Sequence, residues 1–85
     1  MYYVYVLRSI NHRDKTYVGF TEDMERRFHE HNSGSQIYSS RYAPWCMAAH
    51  IGVADRATAL RLEEYLKSAS GKAFLVKHLL PEFKS

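Results

Sequence analysis

The sequence predicts a small α+β layer fold: a three-stranded antiparallel sheet flanked by helices, in the order β-β-α-β-α-α. Three observations carry this reading. The chain opens on two short runs of β-branched and aromatic residues separated by a polar turn, which is a hairpin signal. Two later stretches place apolar residues at helical spacing behind helix-start residues. The third is length: 85 residues leave room for one domain, taken as 1–85, with no repeat, linker or low-complexity tract.

Residues 2–8 form the first strand, bounded by Ser9 and Asn11. Asn11-His12-Arg13-Asp14 is the turn, and Thr16-Tyr17-Val18-Gly19-Phe20 the returning strand. Thr21 and Asp23 are helix-start residues, with Glu22, Asp23 and Glu25 supplying negative charge where a helix N-terminus favours it. That helix is expected to run to about His31, with Asn32-Ser33-Gly34-Ser35 ending it and opening a loop to about Arg41. Trp45 to Ile51 reads as a third strand, entered through Pro44. Asp55 caps a second helix whose apolar members are Ala59, Leu62 and Leu66, with Leu60 at the edge. Ser70-Gly71 is expected to break it. Phe74, Leu75, His78 and Leu79 then suggest a short last helix, stopped by Pro81. Helical packing is expected to cover one face of the sheet.

Composition narrows the function classes. Hydrophobic residues at 46% and charged residues at 25% are globular proportions and argue against disorder. A chain this short buries only about 60–65% of its unfolded surface, so its core must be economical. The single cysteine, Cys46, excludes an internal disulfide framework and any multi-cysteine zinc or iron–sulfur site. It suits a reducing compartment. The N-terminal run has no basic lead-in and no small-residue cleavage site, and no stretch approaches the ~18 apolar residues of a membrane span. The expectation is a soluble cytoplasmic protein without a membrane partner. Twelve Lys/Arg against nine Asp/Glu give a net charge of +3, and the excess lies wholly in residues 41–85. That bias permits a polyanionic partner without demanding one.

Some residues do not read as plain scaffold. Seven tyrosines in 85 residues is high. On one strand face lie Tyr3, Tyr5 and Leu7; on the second strand Tyr17 and Gly19 share a face, so the hairpin can set two phenols beside a glycine gap. Cross-strand aromatic packing would produce the same pattern. Arg27 and His31, four apart, share a helix face where a guanidinium could clamp a phosphate, or where Arg26, Arg27, Glu30 and His31 simply trade charges in water. Glu63 falls on or beside the buried stripe of the second helix. A carboxylate there needs a partner: a divalent cation such as Mg²⁺, or an ion pair with Arg27 or Lys67. His12, His50 and His78 lack metal-ligand spacing and read as structural or solvated; Cys46 reads as core, and no Gly-rich phosphate loop occurs.

In order along the chain, Val4-Tyr5-Val6, Tyr17-Val18-Gly19, Arg27, His31 and Glu63 resemble the GIY-YIG nuclease domain, over nearly the whole sequence. The stretches YVGFTEDMERRFHEHN (17–32) and ALRLEEYLKS (59–68) look especially like the short stand-alone bacterial members. The resemblance implies a small antiparallel sheet flanked by helices and divalent-metal-dependent cleavage of DNA phosphodiesters, structured or damaged DNA in repair or recombination included. By position it makes Tyr5 and Tyr17 the motif tyrosines, Arg27 the motif arginine, His31 the accompanying histidine and Glu63 the ligand of Mg²⁺ or Mn²⁺. Tyr5 is the favoured base, with Tyr17 and His31 positioning water or phosphate, and the two roles are exchangeable. The alternative is a non-catalytic nucleic-acid-binding module on the same fold. Two departures stand out: the first motif lacks its glycine ahead of Tyr5, and no asparagine follows Asn32, although longer members carry one beyond the glutamate. Lys67 or Lys72 could complete the phosphate or metal shell in its place.

Overall fold

The computed structural model describes residues 1–33 and 40–80. The expected loop at 34–39 and the stop at Pro81 lie outside the described residues. Strands β1 (Tyr2–Ser9), β2 (Thr16–Thr21) and β3 (Trp45–Val53) form one antiparallel sheet of order β2-β1-β3. Helix α1 (Met24–Ser33) links β2 to β3; α2 (Arg56–Lys67) and α3 (Ala69–Phe74) come next, and the chain closes in a wider helical turn over Leu75–Leu79. The expected order is therefore the one observed. No helix among the described residues is long and apolar enough to cross a membrane.

The central strand explains the layering. On β1 the alternating sets Val4/Val6 and Tyr5/Leu7 are all apolar and at most 2% exposed, so neither face of the sheet can be left to water. Val4 and Val6 pack with Val18, Ala59, Leu66 and Leu75, the face taken by α2 and the C-terminal turn. Tyr5, Leu7 and Trp45 pack with Tyr17, Met24 and Phe28, the face taken by α1. The expectation that helices cover one face is thus corrected to two. Only one apolar strand lies at the centre, and its two faces need separate lids.

Three local details shape the ends of the helices and of β3. The Asp23 carboxylate accepts from the Arg26 backbone N–H at 3.1 Å and starts α1. At the other end of α1, Asn32 does more than terminate the helix: its carboxamide accepts from the Trp45 N–H and donates to the Trp45 carbonyl, standing in for a paired strand at the start of β3. The break between α2 and α3 falls at Ser68, not at Ser70-Gly71. The Ser68 hydroxyl accepts from the Gly71 N–H at 3.1 Å, and Gly71 lies buried inside α3 because a Cβ there would strike the Tyr65 carbonyl. Cys46 is exposed rather than core, since its strand neighbour Trp45 takes the buried position.

Candidate active site

The hairpin register decides where the phenols go. Tyr5 lies directly opposite Gly19 and Leu7 opposite Tyr17, so the two tyrosines are diagonal neighbours on one face. The Tyr5 ring lies so close over Gly19 that a Cβ would overlap the phenol. The expected glycine gap is therefore filled by Tyr5 itself. Its ring stacks on that of Tyr17, with centroids 6.2 Å apart and planes 22° apart.

From α1, His31 closes over both. Its ring centroid is 5.7 Å from that of Tyr5 and 4.6 Å from that of Tyr17. The Tyr5 hydroxyl and His31 Nε2 are 2.9 Å apart, a hydrogen bond made in the core, since the two residues are 2% and 1% exposed. Nδ1 of His31 is buried without a hydrogen-bond partner among the described residues. Burial, followed by the repulsion of Arg27, holds the His31 pKa below its ordinary value, with Glu30 opposing. At Tyr5, burial is the main cause that pushes the phenol well above its ordinary value. Tyr17 and the negative charges of Glu63 and Glu30 push the same way, and Arg27 alone pulls it down.

Arg27 is half-buried on α1, its Nη1 3.3 Å from Glu30 Oε1, while Arg26 Nε meets the other oxygen of Glu30 at 3.3 Å. The charge-trading reading of this helix face thus holds for Arg26, Arg27 and Glu30. It fails for His31, which turns inward. Arg26 and Arg27 also line a shallow cleft with Thr21 and Asp23.

Glu63 comes from the other layer. Glu63 lies on α2, which packs on the Val4/Val6 face, and its charge, like that of Arg27 on α1, acts on Tyr5. Of the five sequence-selected residues the structure brings Tyr5, Tyr17 and His31 into contact, places Arg27 on the helix that carries His31, and sets Glu63 on the other helical layer. Glu63 Oε2 lies 3.4 Å from Lys67 Nζ, which is the Lys67 pairing foreseen as one alternative; the lysine side chain is 56% exposed and the glutamate 21%.

Among the described residues no group of three or more His, Cys, Asp or Glu could enclose a metal ion. A hard cation can also be held by one carboxylate together with water and substrate phosphate. Glu63, half-buried and paired with the half-exposed ammonium of Lys67, is suited to that task. His12, His50 and His78 are each exposed and lie against Tyr42, Tyr3 and Phe74 respectively.

Comparison with known proteins points the same way. The family described as the GIY-YIG catalytic domain matches residues 1–77. The UPF0213 protein YhbQ of Escherichia fergusonii is 33% identical over an alignment covering 99% of this chain and 96% of that protein. YhbQ of Escherichia coli is 36% identical over 78% of the chain and 65% of its own length. The structure-specific endonuclease subunit SLX1 homolog of Drosophila mojavensis is 38% identical over 73% of the chain, but the match spans only 23% of that protein. SLX1 of Candida dubliniensis is 35% identical over 80% of the chain and 26% of its own length, so the chain corresponds to about a quarter of each SLX1 relative. Matched over residues 1–77 by the family model and almost end to end by a relative of 33% identity, with two stacked tyrosines and a buried histidine at its centre, this chain belongs to the GIY-YIG catalytic domain family.

Proposed function

We propose that this chain is a metal-dependent endonuclease-type phosphodiester hydrolase acting on DNA, with structured or branched DNA as its substrate class. The observation that carries the reading is that Tyr5 stacks on Tyr17 and hydrogen-bonds His31 while the charges of Arg27 and Glu63, from the two helical layers, both act on it. The SLX1 relatives, named as structure-specific endonuclease subunits, support the choice of substrate.

Each residue has a physical part. Arg27 offers a planar guanidinium to the phosphoryl oxygens as negative charge grows on them. A phenol serves as base only once ionised, and burial opposes that at Tyr5. Tyr17, half-buried where Tyr5 is buried, is the better placed of the two to take the proton of the attacking water, with Tyr5 holding Tyr17 and His31 in place. Glu63 would hold Mg²⁺ or Mn²⁺, which supplies polarisation of the scissile phosphate and stabilisation of the leaving oxygen.

The test is cleavage of a short branched DNA with added Mg²⁺ or Mn²⁺. Glu63→Ala and Arg27→Ala should each lose at least about tenfold to a hundredfold in rate while keeping the parent's circular dichroism. If both cut as well as the parent, the site is misassigned. A binding-only module is the second reading, favoured by the Lys67–Glu63 pair and by the lack of an asparagine after Asn32. It predicts salt-sensitive DNA binding with no metal-dependent product.

A further inference from the structure

We propose that Lys67 and Lys72 form a phosphate-binding subsite on the β2 edge, which seats a backbone phosphate of the nucleic acid adjoining the one that is cut. The inference rests on the DNA-hydrolase reading above. Its structural basis is a groove of about 300 Å³ that has Thr16, Tyr17, Lys67 and Lys72 on its rim and Leu66 and Leu75 as an apolar floor. The groove shares Tyr17 with the candidate active site, and Lys67 touches Glu63. Among the described residues, two cations and no carboxylate line it.

The convergence of the lysines is a product of the chain's bend. Lys67 ends α2 and Lys72 lies in α3, so the two reach one groove only because the helices fold sharply on each other at Ser68. Gly71 permits that fold, since any side chain there would strike the Tyr65 carbonyl. A single lysine at a helix C-terminus is accounted for by the helix dipole. Two lysines from successive helices line one groove beside Tyr17, and their combined charge there suits a shared anion. Lysine suits a backbone phosphate because it acts as a point charge that tolerates a moving partner. The half-exposed contact with Glu63 is cheap to give up, as surface ion pairs contribute little.

The subsite is tested by binding rather than turnover. Affinity for a labelled branched DNA is measured in EDTA at several salt concentrations for the parent, Lys67→Gln, Lys72→Gln, the double variant and Arg61→Gln, which changes a charge away from the groove. Each lysine variant should flatten the plot of log affinity against log salt by about 0.9 and the double variant by about twice that; Arg61→Gln should keep the parent slope. Parent-like slopes in both lysine variants would overturn the subsite and leave the hydrolase reading standing. An equal loss in Arg61→Gln would overturn it too, by showing that net charge alone matters. A parent that binds no DNA even at low salt would bring down both readings together.

Discussion

At the scale of single residues, the Tyr5–His31 contact has a consequence for pH. His31 is buried and neutral, with its folded pKa depressed below the ~6.5 of an unfolded histidine. As pH falls below about 6.5 the unfolded chain takes up this proton before the folded one does, so stability declines from there down to the depressed folded value and levels off beneath it. Urea midpoints for the parent should therefore drop between pH 7.5 and pH 5 more steeply than those of His31→Gln, and parallel slopes would remove His31 as the cause. Gly19 makes a second expectation. Gly19→Ala pushes a methyl into the Tyr5 ring and should cost about 1–3 kcal/mol by overpacking, read as a lowered melting temperature with cleavage lost alongside. A third concerns Lys67, the cation now beside Glu63. Lys67→Gln should strengthen Mn²⁺ binding, measured as paramagnetic broadening centred on Glu63; weaker broadening would mean that Lys67 helps the metal instead of competing with it.

Elements are held by polar contacts that carry no hydrophobic signal. Asn32 joins the end of α1 to the start of β3 by pairing both backbone groups of Trp45, and so fixes His31 one residue away. Asn32→Ala removes both of these hydrogen bonds and should cost about 1–3 kcal/mol, seen as a lower denaturant midpoint with unchanged m-value; a neutral result would show that water replaces the amide. Read from sequence, Asn32 is a helix terminator, because its residue type favours helix ends whatever lies across the fold. Ser68 and Gly71 show the same limit. Both are breaker residues, yet one caps α3 and the other lets it pack, and only the close approach to Tyr65 separates the two roles. The strands were far more legible: β1 and β2 exceed their expected spans by one residue each, since alternation and turn chemistry act locally.

For the whole molecule, the sheet is a partition between two helical layers that each contribute candidate site residues. Tyr5 and Tyr17 were readable as a pair because a hairpin of this length brings them to one face. Arg27 and His31 were readable as one helix face, but that face divides in the structure: His31 points into the core while Arg27 stays with Glu30 at its border. Glu63 was marked as an unusual carboxylate; that its charge acts on Tyr5 from the opposite layer depends on how α2 packs on β1 and β2. With a net charge of +3, DNA affinity of the chain should rest mainly on phosphate contacts and fall at least about tenfold between 50 and 200 mM salt. Binding indifferent to salt would instead indicate recognition through bases or an apolar surface.

By itself, the sequence determined the order of elements, the two-tyrosine hairpin and the family resemblance that comparison with known proteins bears out. These depend on periodicity, turn residues and spacing, which are properties of neighbouring positions. The tertiary structure alone decided that both sheet faces are covered, that Tyr5 is buried while Tyr17 is half-buried, and that Lys67 and Lys72 line one groove with Tyr17. Burial and charge proximity arise when distant segments pack, so the reactivity of each group is set by contacts that no local pattern records.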